Sequence, residues 1–338
     1  IRDIPQVIGA GLGAGSSLLG ESKRRSMRRM SSTAARVLRV GGVPEHFNAP
    51  WHTAAKAGLF AERGIDVRWT DFPGGTGAMA KALRDGELDV AILLTEGIVA
   101  DIHRGNPARL VGTYVSSPLT WGIHVAADSP LTDAAQLYSQ PAGDGGASPR
   151  FAVSRMTSGS HLMAFVDAQQ RAGEAAAASL RFEIVGSLEG AREALREGRA
   201  DGFMWEKFTT KPLVDSGEWR RVGECVTPWP CFALAATPAA LGGLSGEILG
   251  AMHVVAHEAA RLRVANDGVE TIAAMYKLQP EDVTEWLQTV SWASSPSASF
   301  STLRTVAETL GRLGVLEPAS LLPPEQLVCE LVSDTDRF

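Results

Sequence analysis

The first part of the chain alternates apolar runs of strand length with amphipathic segments of helical period. The strand-like runs are VLRVGGV (37–43), IDVRWTDF (65–72), DVAILL (89–94), RLVGTYV (109–115) and TWGIHVAA (120–127). The helical segments between the first three are APWHTAAKAGLFAERG (49–64) and TGAMAKALRDG (76–86). Strands and helices that alternate at this spacing predict a mostly parallel sheet covered by helices on both faces.

The alternation starts again after a stretch rich in Gly, Pro and Ser at 139–150, which is predicted to be a loop. The predicted strands of this second series are FAVSRM (151–156), LRFEIVG (180–186), DGFMW (201–205) and residues 219–226. Its predicted helices are SGSHLMAFVDAQQRAG (158–173) and SLEGAREALREG (187–198). From Leu244 onward apolar residues recur at helical spacing, which predicts a helical C-terminal part.

One phrase occurs twice, as LRDGELDVAIL (83–93) and LREGRADGFMW (195–205). In each copy a helix ends at a glycine suited to the left-handed cap, and an aspartate leads into a buried strand. Each copy lies at the corresponding place in its own series, which favours two similar α/β lobes. The alternative is that helix–glycine–strand junctions look alike in any protein.

Composition narrows the class of protein. The chain has 338 residues, 45% hydrophobic and 21% charged, with a formal net charge of −6, and it lacks the roughly 18 uninterrupted apolar residues typical of a membrane span. An integral membrane protein is therefore not expected, and the acidic body argues against a nucleic-acid partner. Cys225, Cys231 and Cys329 have no metal-ligand spacing, so no metal site and no disulfide framework are predicted.

Residues 1–36 are predicted to be a flexible or targeting tail. An apolar, Gly-rich stretch precedes the basic cluster KRRSMRRMSSTAAR, the reverse of the order in a secretory signal. Arginine and serine without acids are typical of an organelle transit peptide or of a flexible basic tail. The predicted location is therefore the cytosol or an organelle rather than the periplasm.

Candidate ligand contacts follow the predicted strands, because ligands of open α/β sheets bind beyond the carboxyl ends of strands and near helix starts. Glycine-rich helix starts also leave backbone N–H groups free for an anion or a carbonyl oxygen. The candidates from both lobes are His46, Phe47, Trp51, Gly75, Thr76, Thr95, Glu96, Ser158, Ser160, His161, Trp205 and Glu206, with Trp229 as a further stacking surface. At Ser158 a simple helix cap is an equally good interpretation.

Catalysis has little support in the sequence. GxGxxG, a GK[ST] ending and GxSxG are all absent, which argues against nucleotide hydrolysis, dinucleotide binding and a hydrolase elbow. His253 and His257 have helical spacing but lack the glutamate of HExxH, so a helix surface is favoured over a metal site. No catalytic residue, metal or cofactor is predicted.

Several motifs resemble a known family over roughly residues 37–300. LFAERGIDV, GGTGAMAKALRDGELDVAI, SGSHLMA and FMWEKFTTKPLV are similar to substrate-binding proteins of the type 2 periplasmic class. The most similar branch binds nitrate, taurine, aliphatic sulfonates or thiamine pyrimidine precursors, and the WEKFTTKP-like motif is similar to a eukaryotic and bacterial subgroup of that class.

The resemblance implies a two-lobed α/β fold with mixed sheets flanked by helices, a ligand cleft between the lobes and closure about a hinge. By analogy lobe 1 comprises 37–126 and 233–338, and lobe 2 comprises 127–232. The hinge would lie near 126–128 and 232–235. The positions that face the ligand in the family are occupied here by His46, Phe47, Trp51, Gly75, Thr76, Ser158, Ser160, Trp205 and Glu206.

The predicted function is non-catalytic binding of a small planar or anionic molecule by a monomer or weak dimer. Glu96 and Glu206, if both face the cleft, instead favour an amine or a ring N–H. One alternative is an enzyme of thiamine pyrimidine precursor synthesis, although the family's fungal synthases carry a CCCFC motif where this chain has PWPCF. The other is a degenerate binding fold used as an interaction module. A membrane permease is an expected partner only if the protein is exported.

Overall fold

The computed structural model describes residues 35–139 and 148–337, and Arg36–Phe338 forms one compact unit. The predicted N-terminal tail, apart from its last two residues, and most of the predicted loop at 139–150 lie outside the described residues.

Two five-stranded mixed sheets form the frame. The first has the order β2-β1-β3-β10-β4, where the strands are β1 (Arg36–Gly42), β2 (Ile65–Asp71), β3 (Val90–Leu94), β4 (Arg109–Val115) and β10 (Phe232–Ala236). The second has the order β7-β6-β8-β5-β9, from β5 (Thr120–Ala126), β6 (Arg150–Val153), β7 (Arg181–Ile184), β8 (Gly202–Glu206) and β9 (Trp219–Val226). In each sheet four strands run in the same direction, and one interior strand, β10 or β5, runs antiparallel to both of its neighbours.

Helices cover both sheets. Those that follow strands of the first sheet are α1 (Ala49–Lys56), α2 (Thr76–Arg84) and α3 (Thr95–His103). The second sheet carries α4 (Gly159–Ala172), α5 (Glu174–Ser179), α6 (Leu188–Arg196) and α7 (Lys211–Asp215). The C-terminal part is helical as predicted, with α8 (Pro238–Val264), α9 (Gly268–Tyr276), α10 (Pro280–Thr289) and α11 (Phe300–Arg312), and a short two-stranded ladder joins β11 (Ser297–Ala298) to β12 (Ser333–Asp334).

The repeated phrase has the local structure that its residues predict. Gly86 and Gly198 both have positive φ, 71° and 67°, and each is the second residue after the end of its helix, α2 or α6. Glycine reaches this region without the steric cost that a Cβ imposes. The chain then enters β3 and β8, two buried strands of the parallel sets of their sheets.

The chain passes from the first sheet to the second at a different position from the one predicted. Because β5 pairs with β8 and β9, it belongs to the second sheet, so the chain crosses at 116–119 rather than at 126–128. It returns at 227–231, directly before β10. The apolar pattern of β5 shows that the strand is buried but carries no information on which sheet it joins. Hereafter lobe 1 means 36–115 with 232–337, and lobe 2 means 120–226.

Helix α8 is long and apolar enough, by length and composition alone, to cross a membrane, with a mean hydropathy of 1.4 in its most apolar window. Its buried residues include Ile248, Ala251, Val254 and Leu262, which recur at helical spacing and belong to the main hydrophobic core. This stripe is the face of α8 that packs on the core, and 28% of the most apolar window is buried. His253 and His257 lie exposed on the same helix.

Candidate functional site

A cleft lies between the lobes, at the carboxyl ends of the parallel strands of both sheets. The space between its walls is about 450 Å³, including its opening to solvent. Lobe 1 contributes Glu45, Gly75 and Thr76, and lobe 2 contributes Arg155, Ser158, Ser160, Trp205 and Glu206. The predicted residues Gly75, Thr76, Ser158, Ser160, Trp205 and Glu206 therefore line one cavity.

The start of α2 forms one end of the cleft. The Gly75 N–H donates to the carbonyl of Phe72, at 2.9 Å, whereas the N–H groups of Thr76 and Gly77 find no acceptor among the described residues. The Thr76 hydroxyl oxygen accepts from the Leu94 N–H at 3.2 Å. Thr76 therefore offers its backbone to the cleft, because its side chain is engaged within lobe 1.

The start of α4 in lobe 2 faces the same space. Ser158 caps the helix, since its Oγ accepts from the His161 N–H at 3.4 Å and lies 3.0 Å from Ser160 Oγ. The N–H groups of Gly159 and Ser160 find no acceptor in the described part of the chain. A Cβ on Gly159 would lie 2.4 Å from Leu94 Cδ1 of lobe 1, so this glycine permits the close approach of the two lobes.

Arg155 reaches from lobe 2 to the start of α2. Its guanidinium donates to the carbonyl of Gly74, and a Cβ on Gly77 would lie 2.2 Å from Arg155 Nε. No carboxylate of the described residues forms an ion pair with it, and burial lowers its pKa. A partly buried guanidinium beside two helix N-termini concentrates positive potential. The charge of Asp101 acts on the Arg155 pKa in the opposite direction to burial and raises it, but Asp101 forms its ion pair with Arg84.

Two carboxyl groups line the cleft as well. Glu45 of lobe 1 accepts from Trp205 Nε1 of lobe 2 at 3.0 Å, a hydrogen bond that joins the lobes. Burial, with the charge of Glu206, raises the pKa of Glu45 to about 8. Glu206 accepts at Oε2 from the N–H groups of Phe208 and Thr209 and from the Thr209 hydroxyl. Burial raises its pKa to about 7.

His46, Phe47 and Trp51 lie behind the cleft wall rather than on it. His46 Nε2 is 3.8 Å from Glu206 Oε2, but burial lowers the His46 pKa to about 3, so this contact joins a neutral imidazole to a carboxyl group. Phe47 packs edge-on against Trp286 and lines a small neighbouring cavity that Glu206 also reaches. Trp51 is 2% exposed and stacks on Phe60.

The return crossing, residues 227–231 where the chain passes back to lobe 1, is fixed by hydrogen bonds that involve Thr95, Glu96 and Trp229. The Thr95 N–H and hydroxyl donate to the carbonyls of Cys231 and Pro230, at 3.0 and 2.6 Å. Trp229 Nε1 donates to Glu96 Oε2 at 2.9 Å, deep in the protein. The start of α3 therefore fixes residues 229–231, and these three predicted contacts lie outside the cleft lining.

His161 supports the loop before α4. Its Nδ1 accepts from the Thr157 N–H at 3.3 Å, and Thr157 has a positive φ of 65° that a threonine seldom adopts. The ring packs against Phe165 and Phe182. His161 thus shapes the turn that presents Ser158 and Ser160, without lining the cleft itself.

Sequence reasoning missed Glu45, Arg155 and Trp121, which also line the cleft. Glu45 is the one acid of the selected loop PEHFNAPW, and its charge was the available signal. Arg155 was placed inside a predicted strand, but β6 ends at Val153, so the strand-exit rule would have reached it. Trp121 lies within β5, where the pattern does not distinguish a cleft-facing residue from a core residue.

Two family models match separate segments of the chain. Residues 137–225 match the Ca3427-like PBP family, and residues 45–142 match the NMT1/THI5-like family. A search of curated proteins found no match.

Solved structures with a similar fold include the product of the Candida albicans CA3427 gene, described as defining a new family with the generic periplasmic-binding-protein fold. It is 27% identical, covers 90% of this chain and 100% of its own, and has a TM-score of 0.77. The alkanesulfonate-binding protein SsuA of Xanthomonas axonopodis pv. citri, bound to MOPS, is 16% identical over 88% of this chain and 98% of its own, with a TM-score of 0.71. The nitrate-binding protein NrtA of Synechocystis PCC 6803 is 14% identical over 86% of each chain, with a TM-score of 0.65.

The predicted two-lobed α/β architecture and the predicted resemblance are thus confirmed. The chain has the periplasmic-binding-protein fold and is similar to Ca3427-like proteins over most of its second lobe, and to NMT1/THI5-like proteins over the N-terminal part of its first lobe and the start of its second.

Proposed function

We propose that this protein binds a small molecule with an anionic group in the cleft and does not transform it. The observation that carries the proposal is Arg155, a partly buried guanidinium without a carboxylate partner among the described residues, which lies over the start of α2. Four backbone N–H groups at the two helix starts, those of residues 76, 77, 159 and 160, also have no acceptor among the described residues. An anion between the helix starts would accept hydrogen bonds from Arg155 and from backbone N–H groups.

The structural neighbours support an anion. Two of them are described as binding an alkanesulfonate and nitrate, which both carry their negative charge on a compact group of oxygens. Their identity to this chain is low, so the choice of an anion rests on Arg155 and the helix starts, and the choice among anions rests on experiment.

The experiment is a thermal-shift and calorimetric screen of methanesulfonate, nitrate and small carboxylates, including their amino-substituted forms. An anion that binds should raise the melting temperature of the wild type, because a ligand specific for the folded state stabilises it by mass action. Arg155→Gln should weaken that binding by at least about 10-fold, since hydrogen bonds to charged groups contribute roughly 1.5–3 kcal/mol.

Arg181→Gln is the matched control for this variant. Arg181 is an exposed arginine of the same lobe at the start of β7, and its guanidinium donates to Ser148 O at the end of the sheet opposite the cleft. If the wild type and Arg155→Gln bind the anion with equal affinity, the anion site does not lie at Arg155 in this cleft.

An enzyme of thiamine pyrimidine precursor synthesis is the second candidate, because residues 45–142 match the NMT1/THI5-like model. The nearest equivalent of the cysteine-rich motif is Cys231, which is fully buried, and burial raises its thiol pKa well above the usual range. A thiol in this environment stays protonated and unreactive. Stoichiometric bound iron, or a Schiff-base absorbance in the purified protein, would favour the enzyme.

The compartment and any permease stay predictions. One structural neighbour is described as the ligand-binding component of an ABC-type import system from Staphylococcus aureus. We propose a carrier or sensor in the cytosol or an organelle. Fractionation of cells that express the full chain tests this location, and recovery outside the cytoplasmic membrane would favour a permease as partner.

A further inference from the structure

The segment WEKFTTK (205–211) leads from the cleft wall into α7, and its two lysines contact lobe 1. Lys207 Nζ lies 3.1 Å from Glu285 Oε1, and Lys211 Nζ lies 3.4 Å from Asp282 Oδ2. The side chains of Lys207 and Asp282 are only 16% and 10% exposed, so these pairs are partly shielded from solvent. Both acids belong to α10, so the two ion pairs join lobe 2 to lobe 1.

Helix α10 is fixed to lobe 1 by its own packing. Trp286, on the turn between the two acids and the end of the helix, is 2% exposed, and its ring lies edge-on to His46 and Phe47 at centroid distances of 4.3 and 5.3 Å. Arg263 of α8 donates to the carbonyl of Val290, directly after α10, at 3.0 Å. The acids of α10 therefore keep their place in lobe 1 when lobe 2 moves.

Each lysine also has an acid within lobe 2. Lys211 Nζ lies 2.7 Å from Asp215 Oδ2, one turn along α7, and Lys207 Nζ lies 3.8 Å from Glu224 Oε1 on β9. These two contacts do not depend on lobe 1, so they persist when the lobes separate. The contacts with α10 join the lobes and are lost on separation. A charge that loses its only partner in a partly buried position costs free energy, and here neither ammonium does so.

We propose that Lys207 and Lys211 form an electrostatic latch with Asp282 and Glu285, which favours the closed arrangement of the lobes and releases when the lobes separate. Exposed ion pairs contribute little to folding stability. Two arrangements of one folded protein differ by far less free energy, however, and a contact made in only one of them shifts their populations. The inference goes beyond the proposed function, because it concerns closure and not the choice of ligand.

The test is small-angle X-ray scattering of the full chain, freed of small molecules by dialysis, as wild type and as Asp282→Asn/Glu285→Gln. This variant removes two negative charges of α10 but leaves both lysines their partners in lobe 2. We expect it to have a larger radius of gyration at about 0.01 M salt, where the Debye length is about 30 Å. The difference from the wild type should shrink at about 1 M salt, where the Debye length is about 3 Å.

Asp215→Asn/Glu224→Gln is the matched control. It also neutralises one carboxylate beside each lysine, but both of these carboxylates lie within lobe 2. We expect it to keep the wild-type radius. Lys207→Met/Lys211→Met removes the same contacts between the lobes from the lysine side and should open the protein as the α10 variant does. Urea titrations show whether each variant is folded.

The latch is overturned if the folded α10 variant has the wild-type radius at low salt, or if the control opens as far as that variant. If the α10 variant does not fold, the lysine variant decides by the same comparison. These outcomes are independent of the anion site, because the scattering is measured without a ligand.

Discussion

At the scale of single residues, the cleft and the return crossing contain buried carboxyl groups whose loss of hydration is only partly offset by hydrogen bonds. Glu96 is fully buried, receives one hydrogen bond from Trp229 and leaves Oε1 without a partner among the described residues. Burial raises its pKa to about 7. Removal of such a group from water penalises its charged form, so the folded protein holds this proton to a higher pH than the unfolded chain does.

The raised pKa of Glu96 determines whether folding stability rises or falls with pH. A carboxyl group whose pKa is raised by folding stabilises the protein fully below the unfolded pKa, near 4.5, and that stabilisation is lost as the pH rises through the folded value of about 7. Glu45 and Glu206 act in the same direction. His46 and His161, whose pKa values burial lowers to about 3 and 4, act oppositely but only below their unfolded pKa, near 6.5.

Glu96→Gln should therefore flatten the fall in stability between pH 6.5 and 8.5. The glutamine keeps an acceptor for Trp229. The decrease in the free energy of unfolding between these pH values should be smaller by about 1 kcal/mol in the variant. Urea titrations at the two pH values measure the effect, with the exposed Glu62→Gln as control. Identical slopes in wild type and Glu96→Gln would show that this carboxyl group is already ionised in the folded protein at pH 6.5.

At the scale of elements, two helix starts and one strand exit bring the lobes together. The start of α4 meets Leu94 at the end of β3, and Arg155, after β6, meets the start of α2. Glycines at 77 and 159 leave the space for these contacts. At each of these points a glycine of one lobe meets a side chain of the other, Leu94 or Arg155, so an added Cβ would displace that side chain or the lobe.

Gly159→Ala should hold the lobes apart, since its Cβ would lie 2.4 Å from Cδ1 of Leu94 in the other lobe. We expect a larger radius of gyration in small-angle X-ray scattering and at least about 10-fold weaker ligand binding. The control is Gly246→Ala in α8, where a Cβ meets nothing within 4 Å. Alanine there should stabilise the protein by roughly 0.5–1 kcal/mol through its higher helix propensity. An unchanged radius and affinity in Gly159→Ala would show that the close approach does not control closure.

At the scale of the whole molecule, the sequence was sufficient for the architecture but not for the exact division into lobes. Periodicity located both α/β series because each strand is buried and each helix is amphipathic. It misplaced the first crossing because β5 pairs antiparallel with distant strands, and pairing partners leave no local signal. Among the proposed contacts, the helix starts at 75–76 and 158–160 followed from glycine and serine at strand exits.

The remaining contacts depend on tertiary detail that one sequence does not contain. Thr95 and Glu96 also follow a strand, yet the return crossing at 229–231 covers them and takes their hydrogen bonds. Trp51 follows the first strand as Glu45 does, but it points into the core. Which of two neighbouring residues faces the cleft is decided by how the other lobe packs, and a strand-exit rule cannot distinguish them.

Native mass spectrometry of freshly purified wild type, Arg155→Gln and Arg181→Gln, each compared before and after denaturation, tests whether the cleft binds an anion at Arg155. We expect a small molecule with an anionic group to be released from the wild type and from Arg181→Gln but to be absent or depleted in Arg155→Gln. The same small mass at equal occupancy in all three proteins would place the ligand elsewhere. A bare wild type that also ignores every anion of the screen would contradict a binding function for the cleft.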